Sequence, residues 1–183
     1  MADTKKMIHD AYGMHHLQRE GNGGDPVSGR LHGMAKCVME AGKIIAAVEN
    51  QETPLPDVLI VCYAPDTVPT RENFRRIQEA LVKHILATHE VRQHRTLLKL
   101  RALAEVAVIA FRMQARGFGE MPDSMVYTMA GLQKQNWHDG NRPWRRCWRD
   151  MGRQMQSWHR KALVRPNHAC EALGGERSRW EAA

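Results

Sequence analysis

A chain of 183 residues with 43% hydrophobic content is long enough to bury one sizeable core, which argues against wholesale disorder. Aromatic residues make up only 6%, and the abundance of Ala, Leu, Met, Arg, Glu and Gln favours helix. The formal charge of +7 and a pI near 9.5 point to an anionic partner, nucleic acid being the commonest.

In chain order, Thr4 to Glu20 predicts an amphipathic helix through Met7, Ile8, Ala11, Met14 and Leu17. The run Gly21-Asn22-Gly23-Gly24-Asp25-Pro26 breaks it. Ser28 is placed to cap a second helix carrying Leu31, Met34, Ala35, Val38, Met39, Ile45 and Val48. After a turn at Thr53 to Pro56 comes Asp57 to Ala64, the one strand-like apolar run. It has no second run to pair with, so a buried helix is expected. Beyond Pro65 to Pro69, Thr70 should cap a helix with Phe74, Ile77, Leu81 and Ile85 on one face. His89 to Thr96 is a polar connection, and Leu97 to Met113, apolar nearly all round, is the natural central helix. Gly117, Gly119 and Pro122 end it, and Asp123 or Ser124 caps a short helix to Leu132. A polar turn, Gln133 to Asn141, leads to Pro143 at the start of a long basic helix that Pro166 should stop. A short helix in a fraying tail follows Asn167.

The long basic helix and the turn before it hold the chain's charge. Leu132 to Pro166 contains Lys134, Arg142, Arg145, Arg146, Arg149, Arg153, Arg160, Lys161 and Arg165 against Asp139 and Asp150. That excess equals the whole formal charge of +7, so the rest is neutral overall. Trp144, Trp148, Met151, Met155, Trp158 and Ala162 fall within about 40° of one line on a helical wheel. Arg142, Arg146, Arg149, Arg153 and Arg160 lie roughly 140–200° away. The periodicity predicts an apolar keel facing the core, with an arginine ridge opposite. Arginine's planar fork of donors suits phosphate oxygens and guanine edges.

Motifs of other classes are missing. His89-Glu90-Val91-Arg92-Gln93-His94 is one residue too long for a zincin pair, since a step of five turns the second ring about 140° away. Cys37, Cys62, Cys147 and Cys170 form no Cys-x-x-Cys pair, and there is no phosphate-binding glycine motif or nucleophile elbow. No apolar run nears the roughly 20 residues that span a bilayer, and the first residues lack a signal peptide's apolar centre. No catalytic residue, cofactor, metal or membrane association is expected, and the chain should be cytoplasmic. The predicted architecture is all-α, about six or seven helices: a helical core over 1–120, a helix-turn-helix-like basic element over 121–166 and a tail over 167–183.

Several short motifs resemble phage Q-type antitermination proteins. They are Tyr127-x-Met-Ala-Gly-Leu, Asn136-Trp137, and Trp144-x-x-x-Trp148-x-x-Met151-x-x-x-Met155-x-x-Trp158-x-x-x-Ala162-Leu163. Tyr12-Gly13-Met14 and Tyr63-Ala64-Pro65 are also similar to elements of such prophage proteins. Family members akin to the lambda protein carry a zinc-binding cysteine cluster that this chain lacks, so the resemblance is to a zinc-free branch. It implies binding to double-stranded DNA near a late promoter, loading onto paused bacterial RNA polymerase and suppression of termination, in the cytoplasm of a bacterial host. Lys134, Arg142, Arg145, Arg146, Arg149 and Arg153 would then meet phosphate. Gln133, Gln135 and Asn136, with Arg145 or Arg146, would read bases, because Asn and Gln suit adenine and Arg suits guanine. Two alternatives fit the same residues: a dimeric helix-turn-helix repressor or activator, and an interaction module whose basic helix meets an acidic partner.

Overall fold

The computed structural model describes residues 3–20, 31–89, 94–139 and 143–181, and it is all-α. Among the described residues eight helices occur and no strand. They are α1 Thr4–Glu20, α2 Leu31–Glu49, α3 Leu55–Tyr63, α4 Arg71–Thr88, α5 His94–Ala115, α6 Asp123–Met129, α7 Lys134–His138 and α8 Trp144–Glu181. None is long and apolar enough to cross a membrane. Ser28, the expected cap of α2, and Arg142 lie outside the described residues. Compactness divides the chain differently from charge: one unit comprises residues 1–70 and 160–183, the other 71–159.

In the first unit α3 packs against both α1 and α2. The strand-like run is therefore helical, and it buries Asp57, Val58, Leu59, Val61, Cys62 and Tyr63. A helix apolar on every side needs cover on more than one face. Ile8, Ala11 and Tyr12 of α1, and Ala41, Ile44 and Val48 of α2, are buried too. Met39, counted above in the apolar stripe of α2, is 66% exposed, because it stands about 160° from Ala41 on the wheel. Leu17 in the last turn of α1 is likewise exposed. The His9 ring donates from Nδ1 to the Tyr63 carbonyl at 3.0 Å. A Cβ on Gly13 would sit 3.3 Å from the Pro65 ring, so the Tyr12-Gly13-Met14 and Tyr63-Ala64-Pro65 motifs meet in space.

Pro166 does not stop α8, which continues to Glu181. A proline inside a helix leaves the carbonyl four residues earlier without its N–H donor. Here that carbonyl, on buried Ala162, accepts from Gln51 Nε2 at 3.1 Å. The helix crosses its proline because a side chain from outside the helix supplies the missing donor.

In the second unit α5 packs against α4 and α6, and it buries Leu100, Leu103, Ala104, Val106, Ala107 and Val108. It begins at His94, inside the expected polar connection. Its end is set by Gly117, at φ +89°, with Phe118 N–H donating to the Met113 carbonyl and Gly117 N–H to that of Gln114. This pair of bonds is the Schellman stop, which needs a left-handed residue that glycine supplies without strain.

Candidate nucleic-acid interface

The basic region is assembled from α6, α7 and the first part of α8. α6 starts at Asp123 with Pro122 in the N-cap position and no side-chain cap, so neither Asp123 nor Ser124 caps it as expected. It stops at Met129 rather than Leu132. Gly131, at φ +63°, allows Leu132 N–H to reach the Tyr127 carbonyl and Gly131 N–H the Thr128 carbonyl, a second Schellman stop.

The expected polar turn is itself partly helical. α7 occupies residues 134–138 with Gln133 as its N-cap. Trp137 drives this: only 1% exposed, it stands 6.3 Å from the Tyr127 ring of α6 and 6.3 Å, edge-on, from the Trp148 ring of α8. Such aromatic pairs contribute beyond their buried area, and here they tie three helices together. The indole Nε1 of Trp137 is buried without a hydrogen-bond partner among the described residues. With α7 inserted, the connection from α6 to α8 exceeds the roughly three- or four-residue turn of DNA-binding helix pairs.

At the N-cap and first turn of α7, Gln133, Lys134 and Gln135 are exposed and Asn136 is half-buried. On α8, Trp144, Cys147, Met151 and Met155 are buried, while Arg145, Arg146, Arg149 and Arg153 are exposed. The two faces separate as the period predicts, with one difference. Trp148 and Trp158, assigned to the keel, are only half-buried.

The basic side chains of α8 are not wholly uncommitted. Arg145 lies 3.4 Å from Asp123 with both side chains largely in solvent, where such a pair contributes little. Arg153, 77% exposed, pairs with Asp150 one turn back. Asp150 also lies 2.6 Å from His89 Nε2 at the end of α4. Burial opposes ionisation of Asp150, but the Arg153 and His89 contacts outweigh it and hold the carboxyl below its ordinary value. Burial, with the Asp150 charge nearby, pushes the Cys147 thiol up to about 11. Among the described residues no group of His, Cys, Asp and Glu is placed to hold a metal ion.

Arg149 and Arg153 also border a cleft of about 420 Å³ between α5 and α8, with Phe111 and Trp148 in its walls. Sequence periodicity gave no sign of this cleft. The available signal was Gly152, a glycine inside a helix where alanine would be about 1 kcal/mol better.

Compared with models of known protein families, with curated proteins and with solved structures, the chain matches none.

Proposed function

We propose that the protein is a non-enzymatic DNA-binding regulator of transcription that grips duplex phosphate with the arginine ridge of α8. One observation carries this reading: Arg146, Arg149 and Arg153, with Arg145 at their flank, stand in solvent along one helix whose opposite face is buried. A row of guanidiniums on a rigid helix presents preformed bidentate donors, and releasing phosphate counterions supplies the affinity. Gln133 and Gln135, exposed beside the anchoring Trp137, are the candidates to touch base edges together with Arg145 or Arg146, with Asn136 less accessible, while exposed Lys134 joins the phosphate contacts. The length of the α6–α8 connection favours this ridge over the short-turned helix pair of simple repressors.

The specific role in this proposal is that of a phage Q-type antitermination factor, and it rests on the resemblance of the tryptophan helix and its neighbours. Such a factor acts at a late promoter on the RNA polymerase of a bacterial host, in its cytoplasm. A reporter with a terminator downstream of the cognate late promoter tests it. Expression of the protein should raise readthrough, and the Arg146, Arg149 and Arg153 to alanine variant should not. DNA binding without readthrough would leave a plain repressor or activator. Tight capture of an acidic polypeptide with no DNA binding would identify an interaction module instead.

A further inference from the structure

Of the two keel residues that depart from expectation, Trp148 lies beside the α5–α8 cleft. Instead of being sealed in the core it is half-exposed, and it forms a wall of the α5–α8 cleft together with half-exposed Phe111. The cleft's volume of about 420 Å³ lies within the roughly 300–1,000 Å³ of small-molecule sites. Between the two arginines that border it, Gly152 leaves open space where a Cβ would stand, with nothing within 4 Å. The amides of Gln114 and Gln156 also line it, and each offers both a donor and an acceptor. Glu120 is the one carboxylate in the lining.

We propose that this cleft takes a single unpaired nucleotide, its base against Trp148 and Phe111 and its phosphate on Arg149 and Arg153. The inference rests on the nucleic-acid reading of the α8 ridge and extends it. Aromatic walls receive any base through its π-face, and flanking cations track the backbone, as in single-strand binding sites. The glutamine amides match the mixed donor and acceptor edge of a base. Glu120 repels phosphate and can accept from a base N–H, which sets the nucleotide's direction in the cleft. Because Arg149 and Arg153 belong to both ridge and cleft, a duplex on the ridge would present an extruded nucleotide to the cleft. The cost of unstacking is smallest where the nucleotide is already unpaired.

The test uses the full chain with three probes: a short intact duplex, the same duplex with one bulged nucleotide, and single-stranded oligothymidylate. The parent should bind the bulged duplex more tightly than the intact one, by about 5- to 150-fold, the worth of one base–aromatic stack. Gly152→Leu fills the cleft and should abolish that advantage while leaving affinity for the intact duplex unchanged. Gly152→Ala should keep the advantage. Phe111→Leu, which retains apolar bulk but no aromatic face, should lose part of it and provides an independent variant should Gly152→Leu melt early. Equal affinity of the parent for the intact and bulged duplexes would overturn the cleft assignment and leave the ridge standing. So would an advantage undiminished in both Gly152→Leu and Phe111→Leu. Binding of oligothymidylate but not of intact duplex would support the cleft and remove the ridge. Binding of none of the three overturns both.

Discussion

Gln51 donates its side-chain amide to the Ala162 carbonyl, the helical acceptor that Pro166 leaves without its usual donor. The same Nε2 reaches the Ala47 and Val48 carbonyls at the end of α2, at 3.1 and 3.2 Å. One amide thus caps α2 and repairs α8. The Arg165 guanidinium adds a bond to the Asn50 carbonyl in the same corner. An interior proline costs a helix about 3 kcal/mol, and a buried acceptor left unmet costs about 1–3 kcal/mol more. The second cost is the one Gln51 removes.

A double-mutant cycle measures this coupling. Gln51→Ala should destabilise by about 1–3 kcal/mol in chemical denaturation. In a Pro166→Ala background the loss should be smaller, because the new backbone N–H reaches the Ala162 carbonyl by itself. Equal losses in both backgrounds would show that Gln51 acts only as the cap of α2.

α5 supplies an internal comparison of core and surface. Leu103 is fully buried and Leu98 is 54% exposed on the same helix. Leu103→Ala should cost about 2–5 kcal/mol, while Leu98→Ala should stay within about 0.5 kcal/mol of the parent. Similar melting of the two variants would contradict the burial of α5.

The four thiols should react in two classes. Cys37 is exposed, whereas Cys62, Cys147 and Cys170 are buried. Burial also pushes the Cys147 thiol up to about 11, which keeps it protonated near neutrality. A thiol reagent should therefore label one site quickly in the native protein and the other three only on unfolding. Rapid labelling at Cys147 would place the start of α8 in solvent.

Acid stability should report on Asp150. Its folded carboxyl sits below the ordinary value of 3.8 despite burial, since Arg153 and His89 favour the charged form. A depressed acid contributes stability that is fully present above its unfolded value, and this is lost as pH falls through the lower folded one. Asp150→Asn should thus lower stability near neutrality and flatten its decline below about pH 4. An unchanged acid limb would mean the His89–Asp150–Arg153 contacts carry no linkage.

Much of the fold was legible because helical period is a local signal. The split of α8 into Met151 and Met155 inside and Arg146, Arg149 and Arg153 outside follows from sequence spacing alone. α7 was not legible, since five residues are too few to show a period, and Trp137 declares itself only through rings on two other helices. Pro166 reads as a stop because its rescue comes from Gln51, 111 positions before the Ala162 carbonyl it meets. Gly131 marks the end of α6 by its left-handed backbone, but it sits two residues past the last helical residue, where a turn residue is easily read as helix. The cleft was hidden for a similar reason: Phe111 and Trp148 face each other's helix only in the folded chain.

The arginine ridge is the central claim, and salt dependence of duplex binding tests it most directly. Arg146→Ala, Arg149→Ala and Arg153→Ala combined should leave the fold intact, with a stability loss limited to the solvent-facing Arg153–Asp150 pair, because all three side chains are exposed. The slope of log affinity against log salt should become shallower by up to about three, one for each phosphate no longer neutralised. A triple variant that binds duplex with the parent's affinity and the parent's slope would contradict the account.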